Sequence, residues 1–441
     1  MVIILPYNVK KIINILESNG HSAYVVGGCV RDCLLGKEPH DWDITTSATP
    51  EEIKKYFDHT IDTGIEHGTV TVMMNHVGYE VTTYRIDGKY SDGRHPEKVN
   101  FVINLDEDLA RRDFTINAMA YNDTYGLVDL FGGEEDLKDG IIRAVGKAEE
   151  RFTEDALRML RALRFSAQLG FKIEEHTYEA IKAKADTIKL VSAERIQVEL
   201  VKLLTSDHPE VMRQVYESGI TAQILPEFDV MMKTPQNTPH HCYSVGEHTL
   251  VAVQGIRADK VLRLTMLLHD IAKPDCRTTE DGRDHFHGHP QLGAKKAREI
   301  LRRLKFDNET IGRVENLVEF HDERPATVRA VRRAAVRMGE SAFPDIFEVK
   351  RADTLAQSEF LRQAKMENID YFEKIYYEIK SANQALSIAQ LEINGKDLIE
   401  MGVKQGKEVG VILKTLFDEV IDEPERNNRE YLVSRAKELI G

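Results

Sequence analysis

The sequence predicts an α/β N-terminal domain with a small mixed sheet, followed by an all-helical remainder. Three observations predict it. Apolar runs and period-two stretches ("AYVVGG", "GTVTVMM", "YEVTTYR") fall in the first third of the chain. From about residue 146 onward strand signals nearly vanish and amphipathic helical patterns replace them. The chain has 441 residues with 42% hydrophobic content, enough for several buried cores.

Taken in order, "AYVVGG" predicts a buried strand, "VRDCLLG" a helix start, "WDITTS" a short strand and "TPEEIKKYF" a capped helix. "GTVTVMM" and "YEVTTYR" join through "NHVG" as a hairpin. Next, "TEDALRMLRALRFSAQLG", "TYEAIKAKADTIKLV" and "AERIQVELVKLLTS" predict helices, the first two begun by Thr. Turn-rich "LPEFDVMMKTPQNTPHH" marks a boundary near 225–241, and a histidine-rich helical segment then runs to about 360. The expected domains are 1–145, 146–225, 226–360 and 361–441.

The net charge is −14, which excludes a uniformly basic nucleic-acid coat and leaves nucleic-acid contact to local basic patches. Candidate patches are Lys182, Lys184, Lys189, Arg195 and Lys202; Arg298, Arg302, Arg303 and Lys305; and Arg329, Arg332, Arg333 and Arg337. Gly402, Gly406 and Gly410 recur every four residues, which suits close approach of a tail helix or loop turns alike. Cys29, Cys33, Cys242 and Cys276 form no CxxC pair, so reduced thiols are expected. "MVIILPYNVKK" lacks the order of a signal peptide, and no apolar stretch reaches the roughly 18 residues a membrane span needs. A cytoplasmic protein without membrane contact is the expectation.

In "YVVGGCVRDCLLGKEPHDWDITT", two carboxylates, Asp41 and Asp43, sit one residue apart downstream of a glycine turn. On a strand they would share one face. Such a pair needs a cation, and oxygen-only ligands favour Mg²⁺. Gly27 and Gly28 permit a tight turn, and the helix start with Arg31 offers N–H groups and positive charge to phosphates. Glu80 on "YEVTTYR" is a candidate third carboxylate. In "ARRDFTINAMAYN", Arg112 suits a phosphate clamp. In "RFTEDALRMLRALRF", Thr153 is a candidate cap, Asp155 and Arg158 are spaced as neighbours on a helix, and Arg161 and Arg164 continue the step. An Asp–Arg pair suits an amino donor beside an acceptor, as on cytosine and adenine, and rejects uracil and guanine.

"GGCVRD", "DWDIT", "RRDFTINAMAY", "DLFGGEEDLKDGIIRAVG", "EDALRMLRALRF" and "AERIQVEL" resemble, in order and spacing, the class II tRNA nucleotidyltransferases and their poly(A) polymerase relatives. The likeness covers 24–205, and "EINGKDLIEMGVKQGKEVGVILKTLFDEVID" is similar to the family's RNA-binding tail. The resemblance implies a polymerase β-like head, a helical neck, a body and a tail. It implies metal binding by Asp41 and Asp43 with Glu80 as third carboxylate, and nucleotide binding by Gly28, Arg31 and Arg112. Asp155 and Arg158 match the base-reading template, with Arg161 and Arg164 beside the nucleotide. The implied partners are CTP, ATP and a tRNA acceptor arm. "RIDGKYSDGRHPEKVNF", with Arg94, is similar to the loop needed to add the final A.

The histidine-rich segment supplies His248, His269, Asp270, His287, His289, His321 and Asp353. Their H…HD…D order resembles the HD superfamily of metal phosphohydrolases, which implies a second divalent metal. Imidazole with carboxylate suits Mn²⁺, Ni²⁺, Fe²⁺ or Zn²⁺. Three readings stand at this point: a CCA-adding enzyme, a poly(A) or A-only polymerase, and an HD phosphohydrolase with an RNA-binding head. The HD substrate would be a phosphomonoester or a 2′,3′-cyclic phosphate.

Overall fold

The structure, a computed structural model, describes residues 3–87 and 99–440. The expectation for the loop around Arg94 lies outside the described residues. The chain divides into two compact units, Met1–Asp229 and Val230–Gly441.

The first unit carries the sheet. Its strands are β1 (Ala23–Val26), β2 (Ile44–Thr46), β3 (Thr60–Gly64), β4 (Thr69–Met74), β5 (Val77–Thr83), β6 (Arg85–Asp87), β7 (Val99–Phe101), β8 (Met119–Asn122) and β9 (Gly126–Asp129). Seven of them form one sheet in the order β3-β4-β5-β2-β1-β8-β9, while β6 and β7 pair separately. Only β2 and β5 run parallel within it, so the sheet is mixed, as the sequence predicts. The β4–β5 hairpin turns on Asn75 and His76, both at positive φ, as a two-residue turn matched to strand twist requires. Val25, Ile44, Val70, Val72 and Val81 bury the inner face.

The helix Pro50–Tyr56 starts with a capping box, the Thr49 side chain accepting from Glu52 N and the Glu52 carboxylate accepting from Thr49 N. Two predicted starts differ. Thr153 lies inside the helix Ala148–Glu154, its hydroxyl donating to Glu149 O at 2.6 Å. The next helix, Leu157–Leu169, is opened by Asp155 Oδ1, which accepts from Leu157 N at 3.0 Å. Thr177 likewise sits within Glu175–Lys184, where Glu174 is the cap. A carboxylate carries more acceptor charge than a hydroxyl toward the exposed N–H groups of a helix start.

The second unit is helical apart from the short hairpin Thr278–Glu280/Arg283–His285. Its last part packs around Ile393, Leu398, Leu416, Phe417 and Leu432. Here the third basic patch is corrected. Arg329 and Arg333 bond the Asp422 carboxylate at 2.6 and 3.0 Å, and buried Arg332 donates to Ile421 O and Asp422 O. Arg332 thus satisfies C-terminal carbonyls of helix Lys407–Asp422, where cations are stabilising, while Arg329 and Arg333 neutralise its last side chain, and Arg337 pairs with Glu323. Gly402 and Gly406 are turn residues at positive φ, and Gly410 lies within that helix.

Candidate active site and candidate metal centre

Asp41 and Asp43 precede β2 rather than lying on it. The acidic cluster is therefore built by register between strands. β2 and β5 pair in parallel with Ile44 opposite Val81, so Asp43 and Glu80, each one residue earlier, end side by side. Asp41 and Glu80 are exposed here, and Asp43 keeps exposed surface although protein surrounds much of its carboxyl. Burial of the carboxyl pushes Asp43 above the usual carboxylate range, Glu80 and Asp41 push the same way, and Arg112 opposes them. The edge thus holds negative charge that the protein only partly neutralises.

Asp43 also lines a cavity of about 480 Å³. Gly27, Gly28, Arg31, Arg112, Asp155, Arg158, Arg161 and Arg164 line it as well. Asp41 and Glu80 stand beside Asp43 and outside this lining. Gly27 has φ +79°, and a Cβ there would meet Arg112 Nη1 at 3.0 Å, so the turn needs glycine on both counts. It opens the helix Gly28–Leu34, which carries Arg31.

Each arginine is held in place. Buried Asp108 accepts from Arg111 at 2.7 Å and from Arg112 at 3.2 Å. Burial alone would raise its carboxyl, yet these two guanidiniums bring it below the usual range. Arg31 Nη1 donates to Asn117 Oδ1 at 2.7 Å. Arg161 donates to Asp113 at 2.6 Å. Arg164 pairs with buried Glu199 at 2.8 Å and lies 3.5 Å from the Phe165 ring centre. Such prepaid geometry suits a phosphate chain, since little reorganisation remains when the anion arrives.

The expected contact between Asp155 and Arg158 is corrected. Asp155 precedes the helix, and its carboxylate takes two bonds from Arg195, at 2.7 and 3.3 Å. Arg158 instead donates to Glu154 Oε2 at 2.7 Å and to Arg111 O at 3.0 Å. Both residues still face the same cavity. Arg111, Asn117 and Phe165 also line it, and the sequence reading gave them no role. The "RRD" pair of arginines was the available signal for Arg111. Arg195, read as an RNA-backbone candidate, is in the cavity wall.

In the second unit the six candidate ligands converge and are buried, as two triads. His248, His269 and Asp353 form one, Asp270, His289 and His321 the other. His287 lines the adjoining cavity and belongs to neither. Chain neighbours His269 and Asp270 fall in different triads. Asp270 joins them, with Oδ2 3.2 Å from His269 Nε2 and Oδ1 3.4 Å from His289 Nε2.

The hydrogen bonds fix the tautomers. Nδ1 of His248, His269, His289 and His321 faces the carbonyls of Ala356, Met266, Phe286 and Val318 at 3.2, 2.7, 2.8 and 2.7 Å. A carbonyl only accepts, so each Nδ1 carries a proton and each Nε2 is the atom turned inward, toward the other rings and the carboxylates of Asp270 and Asp353. Nε2 of His248 and His269 approach to 3.2 Å, and those of His289 and His321 to 3.3 Å. Buried imidazole nitrogens and carboxylate oxygens gathered within 4.8 Å of one another are the ligand types of a transition-metal site, so the donor set fits divalent metal ions.

Known proteins bear on both units. Residues 23–143 match the family described as the poly A polymerase head domain, 170–232 the RNA and SrmB-binding site of polymerase A, and 289–436 tRNA nucleotidyltransferase domain 2. The CCA-adding enzyme of Ligilactobacillus salivarius is 37% identical over 440 residues, covering 99% of this chain and 98% of that protein. That of Leuconostoc mesenteroides is 36% identical over 435 residues, covering 98% and 96%. The solved Bacillus stearothermophilus CCA-adding enzyme in complex with CTP is 29% identical, with a TM-score of 0.71 over 98% of this chain and 97% of that one. With identity of this level sustained over both full lengths, the chain belongs to the CCA-adding enzyme family of nucleotidyltransferases.

Proposed function

We infer that this chain is a CCA-adding tRNA nucleotidyltransferase, which adds C, C and A to the tRNA 3′ end from CTP and ATP and releases pyrophosphate. Whole-length likeness to CCA-adding enzymes supports the activity. The observation that carries it within the structure is the meeting of Asp43 with an arginine-lined cavity that also holds Asp155 and Arg158.

Asp41, Asp43 and Glu80 are the residues that would hold Mg²⁺, since their oxygen-only set carries unneutralised charge. Bound there, the metal supplies charge neutralisation at the α-phosphate and lowers the pKa of the attacking hydroxyl. Gly28 N–H, Arg31 and Arg112 hold the triphosphate. The 3′-hydroxyl oxygen bonds to the α-phosphorus, and the bond to the β-phosphate oxygen breaks with its electron pair on pyrophosphate. The arginines offset the charge that develops there. Asp155 accepts from the amino group of cytosine or adenine, and Arg158 donates to the adjacent ring acceptor. Arg161 and Arg164 steady the wall beside the base.

The four segments 1–145, 146–225, 226–360 and 361–441 then act as head, neck, HD body and RNA-holding tail. No helix among the described residues is long and apolar enough to cross a membrane, and work on tRNA supports a cytoplasmic chain. The test is sequencing of 3′ ends after incubating end-trimmed tRNA with CTP and ATP. Ends in CCA are expected. Addition of A alone, or of long A tracts, would sink this reading in favour of an A-only or poly(A) polymerase.

The inward-facing imidazoles favour a second activity, a metal phosphohydrolase in Val230–Gly441, with Mn²⁺, Ni²⁺, Fe²⁺ or Zn²⁺ held by the two triads. Water oxygen bonds to phosphorus, the ester P–O bond breaks, and the alcohol leaves with the electron pair and takes a proton. Because Asp270 joins the triads, Asp270→Asn is expected to lower bound metal at both, from about two ions per chain to less than one. Metal analysis of purified protein measures this, and equal content in variant and wild type would remove the centre.

A further inference from the structure

We propose that Lys365, Arg324 and His240 form an anion subsite at the mouth of the histidine–aspartate centre, selective for the dianionic phosphate of a monoester. The proposal rests on the metal-centre reading just given, and it names what that centre would take.

The three residues come from separate parts of the chain. His240 precedes the helix Val245–Gln254, Arg324 follows the helix Asn308–Phe320, and Lys365 lies on Arg362–Ser381. All three line one cavity of about 310 Å³, together with Asp270, His289, His321 and Asp353. The cavity therefore has an inner end of metal-binding character and an outer end where Lys365, Arg324 and His240 meet the carboxylate Asp322.

Gathering like charges costs free energy. The cost is visible here. Burial first, then Arg324, hold the Lys365 ammonium below its usual range, against Asp353 and Asp322, which favour its charge. Burial, then Lys365 and Arg324, do the same to His240. Folding has thus brought Lys365, Arg324 and His240 together across an open space where each disfavours the others, and Asp322 offsets this only in part. An anion seated among them removes that repulsion.

Their present partners leave them available. The Lys365 ammonium donates to the neutral amide oxygen of Gln357, whose Nε2 donates to both Asp353 oxygens at 3.0 Å. Gln357 therefore ties the outer cation to an inner ligand. Arg324 is paired with Asp322 at 2.6 Å and its side chain is 53% exposed, so an anion can reach it. The His240 ring packs edge-on against Phe360, 4.9 Å between centres, which fixes its direction.

Charge decides the ligand class. Divalent ions on both triads would exceed the charge of the carboxylates Asp270 and Asp353, and Lys365 and Arg324 add to the excess. A phosphomonoester is mainly a dianion at neutral pH, its second pKa being about 6. A diester carries a single charge and an extra substituent where Lys365 and Arg324 would bond.

The test uses the full-length, metal-loaded protein and calorimetric binding of inorganic phosphate and of dimethyl phosphate. Wild type is expected to bind phosphate at least about tenfold more tightly than dimethyl phosphate. Lys365→Met and Arg324→Met are each expected to weaken phosphate about tenfold with metal content unchanged, and Lys365→Arg to retain most affinity. Wild-type CTP incorporation in the variants reports an intact fold. Metal-loaded variants that bind phosphate as wild type does would overturn the subsite while leaving the metal centre standing. A wild-type chain that takes up no metal would overturn both.

Discussion

Asp155 and Arg195 hold each other at two points, Nη2 to Oδ2 at 2.7 Å and Nη1 to Oδ1 at 3.3 Å. Asp155 Oδ1 also closes the first turn of the helix Leu157–Leu169. The carboxylate assigned to read the base is thus aimed by a guanidinium from another helix, Ala193–Leu204. The same cavity holds Arg158, aimed separately by Glu154.

Removing the Arg195 charge frees the Asp155 carboxylate to turn. A charge-assisted hydrogen bond contributes roughly 1.5–3 kcal/mol net, and partial exposure of this pair puts the effect at the low end. Arg195→Gln is expected to raise UTP incorporation relative to CTP about tenfold, with Arg195→Lys between variant and wild type. Competition assays with both nucleotides measure the ratio. An unchanged ratio alongside a changed one in Asp155→Ala would separate Arg195 from base selection.

The acidic edge predicts a conflict between stability and activity. Asp43 is held above its usual range, chiefly by burial. Its folded form therefore keeps a proton more readily than the unfolded chain does. Stability from this group falls as pH rises through the raised value, and at neutral pH the ionised carboxylate is a burden. Asp43→Asn is expected to melt at the same or a higher temperature than wild type at pH 7 without metal, while nucleotidyl transfer falls by at least about 100-fold. Adding Mg²⁺ should raise the melting temperature of wild type by more than that of the variant. Equal Mg²⁺ shifts in calorimetry would argue against metal binding here.

Asp113 behaves in the opposite sense. Burial alone would raise its carboxyl, but Arg161 and hydrogen bonds to the carboxylate bring it down to about 2. Its stabilisation is fully present above the unfolded value of roughly 3.9 and is lost as pH falls through about 2. Asp113→Asn is expected to cost about 2 kcal/mol at pH 6, shrinking steadily below pH 4. Denaturant titrations across pH 2–6 measure the difference, and a gap that stays constant with pH would refute the assignment.

Much of the head was legible because its signals are local. A capping-box spacing, a two-residue hairpin turn and a glycine before a helix start each report on a few neighbouring residues. The H…HD…D order is a pattern of residue types along more than a hundred residues rather than a local signal, and the structure gathers its members into two triads. The corrections concern partners. Asp155 and Arg158 are spaced for one helix face, yet a carboxylate placed at a helix start served the unpaired N–H groups there and left the face.

What the sequence determined by itself was the identity of the chemical groups and their order along the chain: carboxylates around the glycine turn and its neighbouring strands, arginines after them, imidazoles in the helical remainder. Only the tertiary structure decided which of these face each other. It set Glu80 beside Asp43 through the register of β2 and β5, and it sent His269 and Asp270 to different triads. It also drew Arg329, Arg332 and Arg333 into the end of a tail helix. Periodicity records the direction of a side chain from its own backbone. Its partner is chosen by packing between segments far apart in sequence, where the burial of apolar faces fixes distances that no local pattern contains.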